Sequence, residues 1–329
     1  MSATGQLDTA ILRALHEGGP LGGAELSARL GVTRAAVWAR IEELRRLGYE
    51  IEASPHAGYR LLRTPDLLHA DDLQARLPAG VRIGRDIQVF KETGSTNDVL
   101  DRLARDGVAE GVVVFAERQT QGRGRLGRRW VSPSGKGLWC SVLLRPDLRP
   151  SAATQLTIAA AVALHRAVLA VTGLRAAIKW PNDLLLGGRK CAGILTELSA
   201  EPDRVRHLIL GLGVNVNLAA ADLPRDLRAT ATSLRLVLGR PVDRPELAAR
   251  LLAELDKAYA AVRTGRFEAL ADEWEEACVT LGRQVVVDLG TRRLEGRAEA
   301  LDPEGALLVR TEHGHLERVV GGDVLLALP

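Results

Sequence analysis

The segment 121–130, QGRGRLGRRW, constrains the fold more than any other stretch of this chain. It contains a literal G-x-G-x-x-G from Gly122 to Gly127, and Arg128-Arg129 stands where a P-loop would carry Lys-Ser/Thr. A dinucleotide fingerprint needs a strand before the glycines and a helix opening on them. The strand is plausible, because 111–118 (GVVVFAER) is rich in β-branched residues. The helix is missing: 131–137 (VSPSGKG) is turn-rich, and 138–144 (LWCSVLL) reads as another strand. The glycines therefore lie in a loop between strands, and the Rossmann dehydrogenase reading fails on context.

The loop has its own logic. Arg123, Arg125, Arg128 and Arg129 crowd guanidinium groups together, and the glycines between them let the backbone fold tightly. Guanidinium forks bind phosphate or carboxylate bidentately. Like charges repel, so the empty loop is expected to move until an anion arrives. A solvated basic surface loop is the plainer alternative. The interleaved glycines and the terminal Trp130 favour an anion site, without fixing the class of anion.

A chain of 329 residues suggests two or three domains. The net charge of +3 is too small to argue for nucleic acid by itself. No membrane span and no signal peptide are expected. Cys140, Cys191 and Cys278 are far apart and form neither a metal spacing nor a disulfide framework, so a cytoplasmic location is expected.

Residues 1–63 read as a head domain. Leu7, Ile11, Ala14 and Leu15 share one helical face, and 23–30 form a second short helix. Thr33 suits the N-cap of a third helix on which Val37, Ile41 and Leu44 are apolar, and Gly48 stops it. Two short strands, 49–53 and 58–62, follow. That order is a winged helix-turn-helix, whose third helix enters the major groove. Its exposed face is expected to carry Arg34, Ala35, Trp38, Glu42 and Arg45, with Arg34 and Arg45 as DNA contacts. Eight arginines against seven acids in the head make a weak electrostatic footprint, so a protein-binding module stays open.

Thr64-Pro65-Asp66 reads as a linker, and 66–275 as a larger α/β domain. An Ala-rich helix over 156–171 and a long helix over 244–263 are expected. A hairpin near 176–197 brings Lys179, Asn182, Asp183 and Lys190 close to its two arms. The strand 207–217 ends in Asn215 and Asn217, which strict alternation would place on one surface.

Gly94-Ser95-Thr96-Asn97, Gln119 with GRGRLGRRW, Lys179-Trp-Pro-Asn-Asp183, Arg189-Lys190-Cys-Ala-Gly-Ile-Leu195 and Gly211-Leu-Gly-Val-Asn215 resemble, in order and spacing, the biotin protein ligases. The head is similar to that of the family's bifunctional ligase and repressor branch. The resemblance implies an α+β multidomain fold. Its parts would be the winged helix-turn-helix, a central α/β catalytic domain of the class II aminoacyl-tRNA synthetase and biotin-lipoyl ligase type, and a C-terminal SH3-like β-barrel. Residues 281–329 fit the last, with short strands at 284–289, 293–300, 306–311, 315–320 and 324–327.

The resemblance also implies the chemistry. ATP and biotin would give biotinyl-5′-AMP, and a lysine of the biotin carboxyl carrier protein of acetyl-CoA carboxylase would take the biotinyl group. Ser95, Thr96, Asn97 and Gln119 look like the contacts of the biotin ring. Arg123, Gly124 and Arg125 look like those of its carboxyl and the phosphate. Lys190 resembles the lysine near the acyl carbonyl. Lys179, Asn182 and Asp183 resemble the phosphate side, with Asp183 a candidate for Mg²⁺. Arg128, Trp130 and Asn215 look like adenylate contacts, and 218–233 like a second ordering loop. A homodimer favoured by the adenylate, binding operator DNA, is implied as well. The wing, Pro55-His56-Ala57-Gly58-Tyr59, lacks a lysine, and Trp38 and Ala39 replace polar groups on the third helix, which puts specific DNA binding in question. A lipoate or octanoate ligase and a non-catalytic biotin sensor remain alternatives.

Overall fold

The structure, a computed structural model, describes residues 3–54 and 58–326. In the head, the apolar spacing produces α1 (Ala3–His16), α2 (Gly23–Leu30) and α3 (Arg34–Arg46). Gly31, at φ 65°, ends α2 in the left-handed conformation that glycine adopts without strain. The Thr33 hydroxyl then accepts from the Ala36 amide at 3.1 Å and starts α3. Ile11, Leu26, Val37, Ile41 and Leu44 close a small core. The antiparallel pair β1 (Glu50–Ser54) and β2 (Gly58–Arg63) completes the winged unit. The wing tip Pro55-His56-Ala57 lies outside the described residues.

The connection out of the head is held on both sides. Helix α4 (Ala70–Arg76) packs against α1, where Arg13 donates to the Gln74 carbonyl at 3.0 Å and His16 Nε2 lies 2.7 Å from Asp72 Oδ1.

The middle domain is a seven-stranded sheet. Its strands are β3 (Asp86–Phe90), β4 (Val112–Ala116), β5 (Gly137–Leu144), β6 (Ala177–Lys179), β7 (Asp183–Leu186), β8 (Arg189–Ala200) and β9 (Val205–Asn215), in the order β3-β4-β5-β9-β8-β7-β6. Only β3 and β4 run parallel. Alternation sorts the side chains to two faces. On one face Val112, Val114, Leu143 and Ile209 meet Val99 and Leu100 of α5 (Thr96–Arg105). On the other, Val113, Phe115, Val142, Leu210 and Leu212 join α6 (Thr154–Thr172) in the main core. The segment Pro150–Thr172 is, by length and composition, apolar enough to cross a membrane, contrary to the expectation that no run comes close. It lies in the protein core, where its apolar residues meet the sheet and the later helices.

After β9 come the short α7 (Leu234–Leu238), α8 (Arg244–Arg263) and α9 (Glu268–Ala277). Arg244, at the start of α8, is 1% exposed. Its Nε donates to Asp66 Oδ1 at 2.8 Å, its Nη1 to Glu117 Oε2 at 2.7 Å, and its Nη2 to the Asp66 carbonyl at 2.9 Å. Glu117 Oε1 accepts from the Leu68 amide at 2.9 Å. One guanidinium thus joins the linker, the end of β4 and α8.

The C-terminal strands β10 (Gln284–Asp288), β11 (Arg293–Leu301), β12 (Leu307–Arg310), β13 (Leu316–Val319) and β14 (Asp323–Leu326) form an antiparallel sheet in the order β13-β12-β11-β10-β14. Residue 327, expected in the last strand, lies outside the described residues. Val285, Leu294, Leu307 and Val309 share the core of the middle domain, so this sheet is seated on it.

Removing Arg244 leaves Glu117 buried without its partner, which typically costs about 3–5 kcal/mol. Arg244→Ala is therefore expected to lower the thermal unfolding midpoint by several degrees. Arg244→Lys, which keeps the charge and loses the fork, should fall between. An unchanged midpoint in Arg244→Ala would show that this ion pair does not hold the linker.

Candidate ligand site

A cavity of about 750 Å³ opens on the α5 face of the sheet, over β8 and β9. Ser95, Thr96, Asn97, Gln119, Arg123, Gly124, Arg125, Arg128, Trp130, Lys179, Asn182, Asp183, Lys190 and Asn215 all line it, so the residues singled out from sequence come together in one place.

The floor follows from register. Gly193 pairs with Gly213, and Leu195 with Gly211. A Cβ on Gly213 would fall 2.6 Å from the Trp130 indole, and one on Gly211 would fall 2.5 Å from Asn97 Oδ1. The glycines clear the sheet surface so that Trp130 and Asn97 can lie on it. Trp130 then meets Trp139 edge-on, with centroids 6.5 Å apart, and the Lys190 ammonium sits 5.3 Å from its ring centroid.

At one end of the cavity runs a chain of hydrogen bonds between neutral groups that ends on the Glu197 carboxylate. The Thr96 amide donates to Gln119 Oε1 at 2.9 Å, and Gln119 Nε2 donates to the Ser132 hydroxyl at 3.0 Å. The Thr96 hydroxyl lies 2.7 Å from that of Ser141, and Ser141 donates to Asn97 Oδ1. Asn97 Nδ2 donates to Glu197 Oε2 at 2.6 Å. Ser95 is buried at the start of α5. Ser132, Ser141 and Glu197 were not anticipated. Ser141 is the one polar residue within LWCSVLL, and alternation puts it on the α5 face. That signal was available.

The glycine loop folds back on itself. The Gly124 amide donates to the Arg128 carbonyl at 2.6 Å, and the Trp130 amide to the Gly122 carbonyl at 2.8 Å. Leu126 sits at its tip with φ 55°, a left-handed conformation unusual for a side chain with a Cβ. The expected repulsion between arginines is largely offset by acids from other elements. Arg123 pairs with Glu197 and Asp98, Arg128 pairs with Asp323, and Arg125 Nη1 donates to the Gly322 carbonyl at 3.2 Å. These acids lie far away in sequence and only the fold brings them in.

The other end of the cavity is cationic. Lys190 Nζ lies 2.6 Å from Asp183 Oδ1, a close ion pair that occupies this carboxylate oxygen. Asn182 is fixed by its Nδ2, which donates to the Ile194 carbonyl at 2.7 Å. Burial pulls the Lys179 ammonium below its usual pKa; Asp183 opposes this, while Lys190 and Arg128 add to it. Burial also lowers Arg125, again opposed by Asp183. Lys179, Lys190 and Arg125 thus share one carboxylate, which leaves this end short of negative charge. Among the described residues, no group of three or more His, Cys, Asp or Glu side chains could hold a metal ion.

Asn215 donates to the Thr232 carbonyl at 3.0 Å and so ties β9 to the segment 218–233. That segment also flanks Lys190, through Lys190 N to the Thr230 carbonyl and Thr232 N to the Lys190 carbonyl, both at 2.8 Å. Leu223, Leu227 and Ala231 from it line the cavity. Asn217 does not share the surface of Asn215. Strand β9 ends at Asn215, so alternation no longer applies, and Asn217 Nδ2 donates instead to the Val242 carbonyl at 2.9 Å.

In the head, Arg34 and Trp38 are exposed on α3. Arg45, expected on the same open face, braces the wing: its Nε donates to the Ile51 carbonyl at 2.9 Å and its Nη1 to Glu42 Oε1 at 2.6 Å.

Burial pushes the Cys140 and Cys191 thiols up to about 12 and raises Cys278 as well. A thiol with such a value is about one part in ten thousand thiolate at pH 8. The folded chain is therefore expected to leave a disulfide reagent such as dithionitrobenzoate almost unreacted at pH 8, until denaturant exposes the thiols. A fast stoichiometric reaction of native protein would contradict this.

Comparison with known proteins agrees with the geometry. Residues 89–215 match the biotin/lipoate A/B protein ligase family, 8–60 an HTH domain, and 280–326 the biotin protein ligase C-terminal domain. The chain is 38% identical over 306 residues to the bifunctional ligase/repressor BirA of Bacillus spizizenii, covering 93% of this chain and 94% of that protein. It is 30% identical over 305 residues to the bifunctional ligase/repressor BirA of Escherichia coli (strain K12), covering 92% of each. The solved biotin protein ligase from Aquifex aeolicus in complex with biotin and ATP superposes with a TM-score of 0.63 at 30% identity, over 74% of this chain and 99% of that one. With these matches along nearly its whole length, the chain belongs to the biotin protein ligase family, with the domain order of its bifunctional ligase/repressor members.

Proposed function

We propose that this chain joins biotin to ATP as biotinyl-5′-AMP, and then passes the biotinyl group to a lysine of the biotin carboxyl carrier protein of acetyl-CoA carboxylase. The observation that carries this reading is the polarity of the cavity: a neutral hydrogen-bonding end at Thr96, Asn97 and Gln119, and a cationic end at Arg125, Lys179 and Lys190. The cyclic urea of biotin, with N–H donors and a carbonyl acceptor, suits the first, and a carboxylate meeting a triphosphate suits the second.

In the first step a biotin carboxylate oxygen attacks the α-phosphorus and pyrophosphate leaves. Two anionic groups must approach, so fixed positive charge lowers the barrier. Arg125 and Lys190 would meet the acyl and α-phosphate oxygens, and Lys179 and Asn182 the rest of the phosphate chain. Ligand anions would also relieve the crowding of cations around Asp183. Mg²⁺ would be held by Asp183 with phosphate oxygens and water, and would neutralise part of the triphosphate charge. Asp183 lines the cationic end of the cavity, where its carboxylate is paired with Lys190. Trp130, Arg128 and Asn215 would meet the adenylate. In the second step the carrier lysine amine attacks the acyl carbonyl, and AMP leaves with the anhydride oxygen. The loop over 121–130 and the segment 218–233 keep water from the mixed anhydride. No thiol nucleophile is called for, in keeping with the buried Cys140 beside the cavity.

The head makes the same chain a biotin-responsive repressor. Arg34, exposed at the start of α3, would meet operator DNA, whereas Arg45 would act through the wing. Binding as a homodimer, favoured by biotinyl-AMP, would double the weak basic footprint of one head. The free thiols suit the reducing cytoplasm.

ATP–pyrophosphate exchange with biotin, with lipoate and with no acid tests the ligase reading. Exchange that requires biotin is expected. Exchange with lipoate alone would move the substrate to the other branch of the biotin/lipoate family, and none with either acid would leave a biotin sensor. Arg125→Ala is expected to lower the exchange rate by roughly 100-fold, as for loss of one charge-stabilising donor. A rate within twofold of the parent would remove Arg125 from the chemistry.

A further inference from the structure

Arg123 enters the glycine loop with three of its five N–H donors engaged by carboxylates of the protein. Its Nε and Nη2 both donate to Glu197 at 2.9 Å, one to each carboxylate oxygen, and its Nη1 donates to Asp98 Oδ1 at 2.7 Å. Glu197 also accepts from Asn97 Nδ2 at 2.6 Å. The carboxylate stands on β8 opposite Ile209, one same-face step beyond the Leu195–Gly211 pair over which Asn97 lies. It therefore links β8, the start of α5 and the glycine loop. On its far side lies a smaller cavity of about 230 Å³, lined by Asp101, Arg123, Glu197, Ser199 and His207. Arg123 lines both this space and the ligand cavity, so its side chain stands between the two, held from the far side by Glu197.

We infer that Glu197 and Arg123 form a clasp that positions Asn97 and the loop backbone around the acid substrate and closes one side of the cavity to water. The inference rests on the ligase reading and changes one part of it. Arg123 is then a positioning residue whose side chain meets no substrate anion, and the reaction's positive charge comes from Arg125, Lys179 and Lys190. Three features support this. The fork is bidentate, the strongest geometry for an arginine and a carboxylate. Hydrogen bonding to Glu197 is the main cause that holds the Arg123 pKa above its usual value. The same carboxylate also accepts from Asn97 Nδ2, so one acid holds both groups in place.

The test is a set of variants, Glu197→Gln, Arg123→Lys, Arg123→Ala, and the double variant Arg123→Ala with Glu197→Gln. Biotin-dependent exchange gives KM and kcat for each, and AMP release without carrier protein gives the lifetime of the adenylate. Glu197→Gln keeps the size of the side chain, so its folding should be intact, checked by its unfolding midpoint. It is expected to raise the KM for biotin about tenfold while moving the KM for ATP by less than about twofold, as loss of one charge-assisted link predicts. AMP release should quicken by a similar factor, because water now reaches the anhydride. Arg123→Lys keeps the charge without the fork and should behave like Glu197→Gln. The double variant should be no worse than Arg123→Ala alone. The clasp is overturned if Glu197→Gln matches the parent, if Arg123→Lys restores full activity, or if the two losses add. Loss of the ligase reading looks different: the parent chain itself then shows no exchange with biotin.

Discussion

The site depends on two bare positions in one strand. At Gly211 and Gly213 any side chain would occupy the volume that Asn97 and Trp130 fill, at 2.5 and 2.6 Å. The antiparallel register with β8 then sets everything else, because it puts Gly193, Leu195 and Glu197 across from Gly213, Gly211 and Ile209 on the same face. From one end of this strip to the other, the surface changes from an indole resting on glycines to a carboxylate gripping an arginine. Helix α5 and the glycine loop bring their polar groups to the strip from above. Slipping β8 against β9 by a single residue would turn every one of these positions to the opposite face.

Charge is distributed with the same economy of means. The loop carries more arginine than any exposed strand end could tolerate unpaired, and Asp98, Glu197 and Asp323 offset Arg123 and Arg128. Arg125 is left beside Lys179, Lys190 and a single carboxylate, in a partly desolvated setting where each cation raises the cost of the next. The lowered pKa values of Lys179 and Arg125 have the same origin, and an arriving anion acts on both in the opposite direction. An anion entering this end would offset the desolvation of both cations, which is the larger cause of each shift.

Much of this was legible in the sequence, and what was missed has a common cause. Thr33, Gly31 and the apolar spacing of the head mark its helices locally, and α8 follows its Asp243 cap and its periodicity. The absence of a helix after Gly127 correctly removed the dinucleotide reading. The pairing partners of the loop arginines, the role of Ser141 under α5, and the clasp at Glu197 all depend on which strands lie side by side. Contacts 25 to 195 residues apart in sequence carry no local mark. Arg45 and Asn217 show the opposite limit. Periodicity assigned each a face, but Arg45 found a carbonyl of the neighbouring strand within reach, and Asn217 lay past the end of the regular strand.

Arg244 explains how the head and the cavity come to share one framework. Its guanidinium is nearly inaccessible and binds Asp66, where the chain leaves the head, and Glu117, two residues before Gln119 in the cavity wall. Asp66 also accepts from Asn217 Nδ2 at 3.3 Å, and the next residue, Leu218, lines the cavity. The linker is therefore tied to both sides of the ligand cavity through the buried Arg244 guanidinium and the half-exposed Asp66, while Leu68 beside it packs into the main core. Helix α4, gripped by Arg13 and His16 of the head, continues that path into the winged domain. The residues after β9 are thus joined by hydrogen bonds to the linker, and α4 joins the linker to the head, because one arginine stands at the first turn of α8.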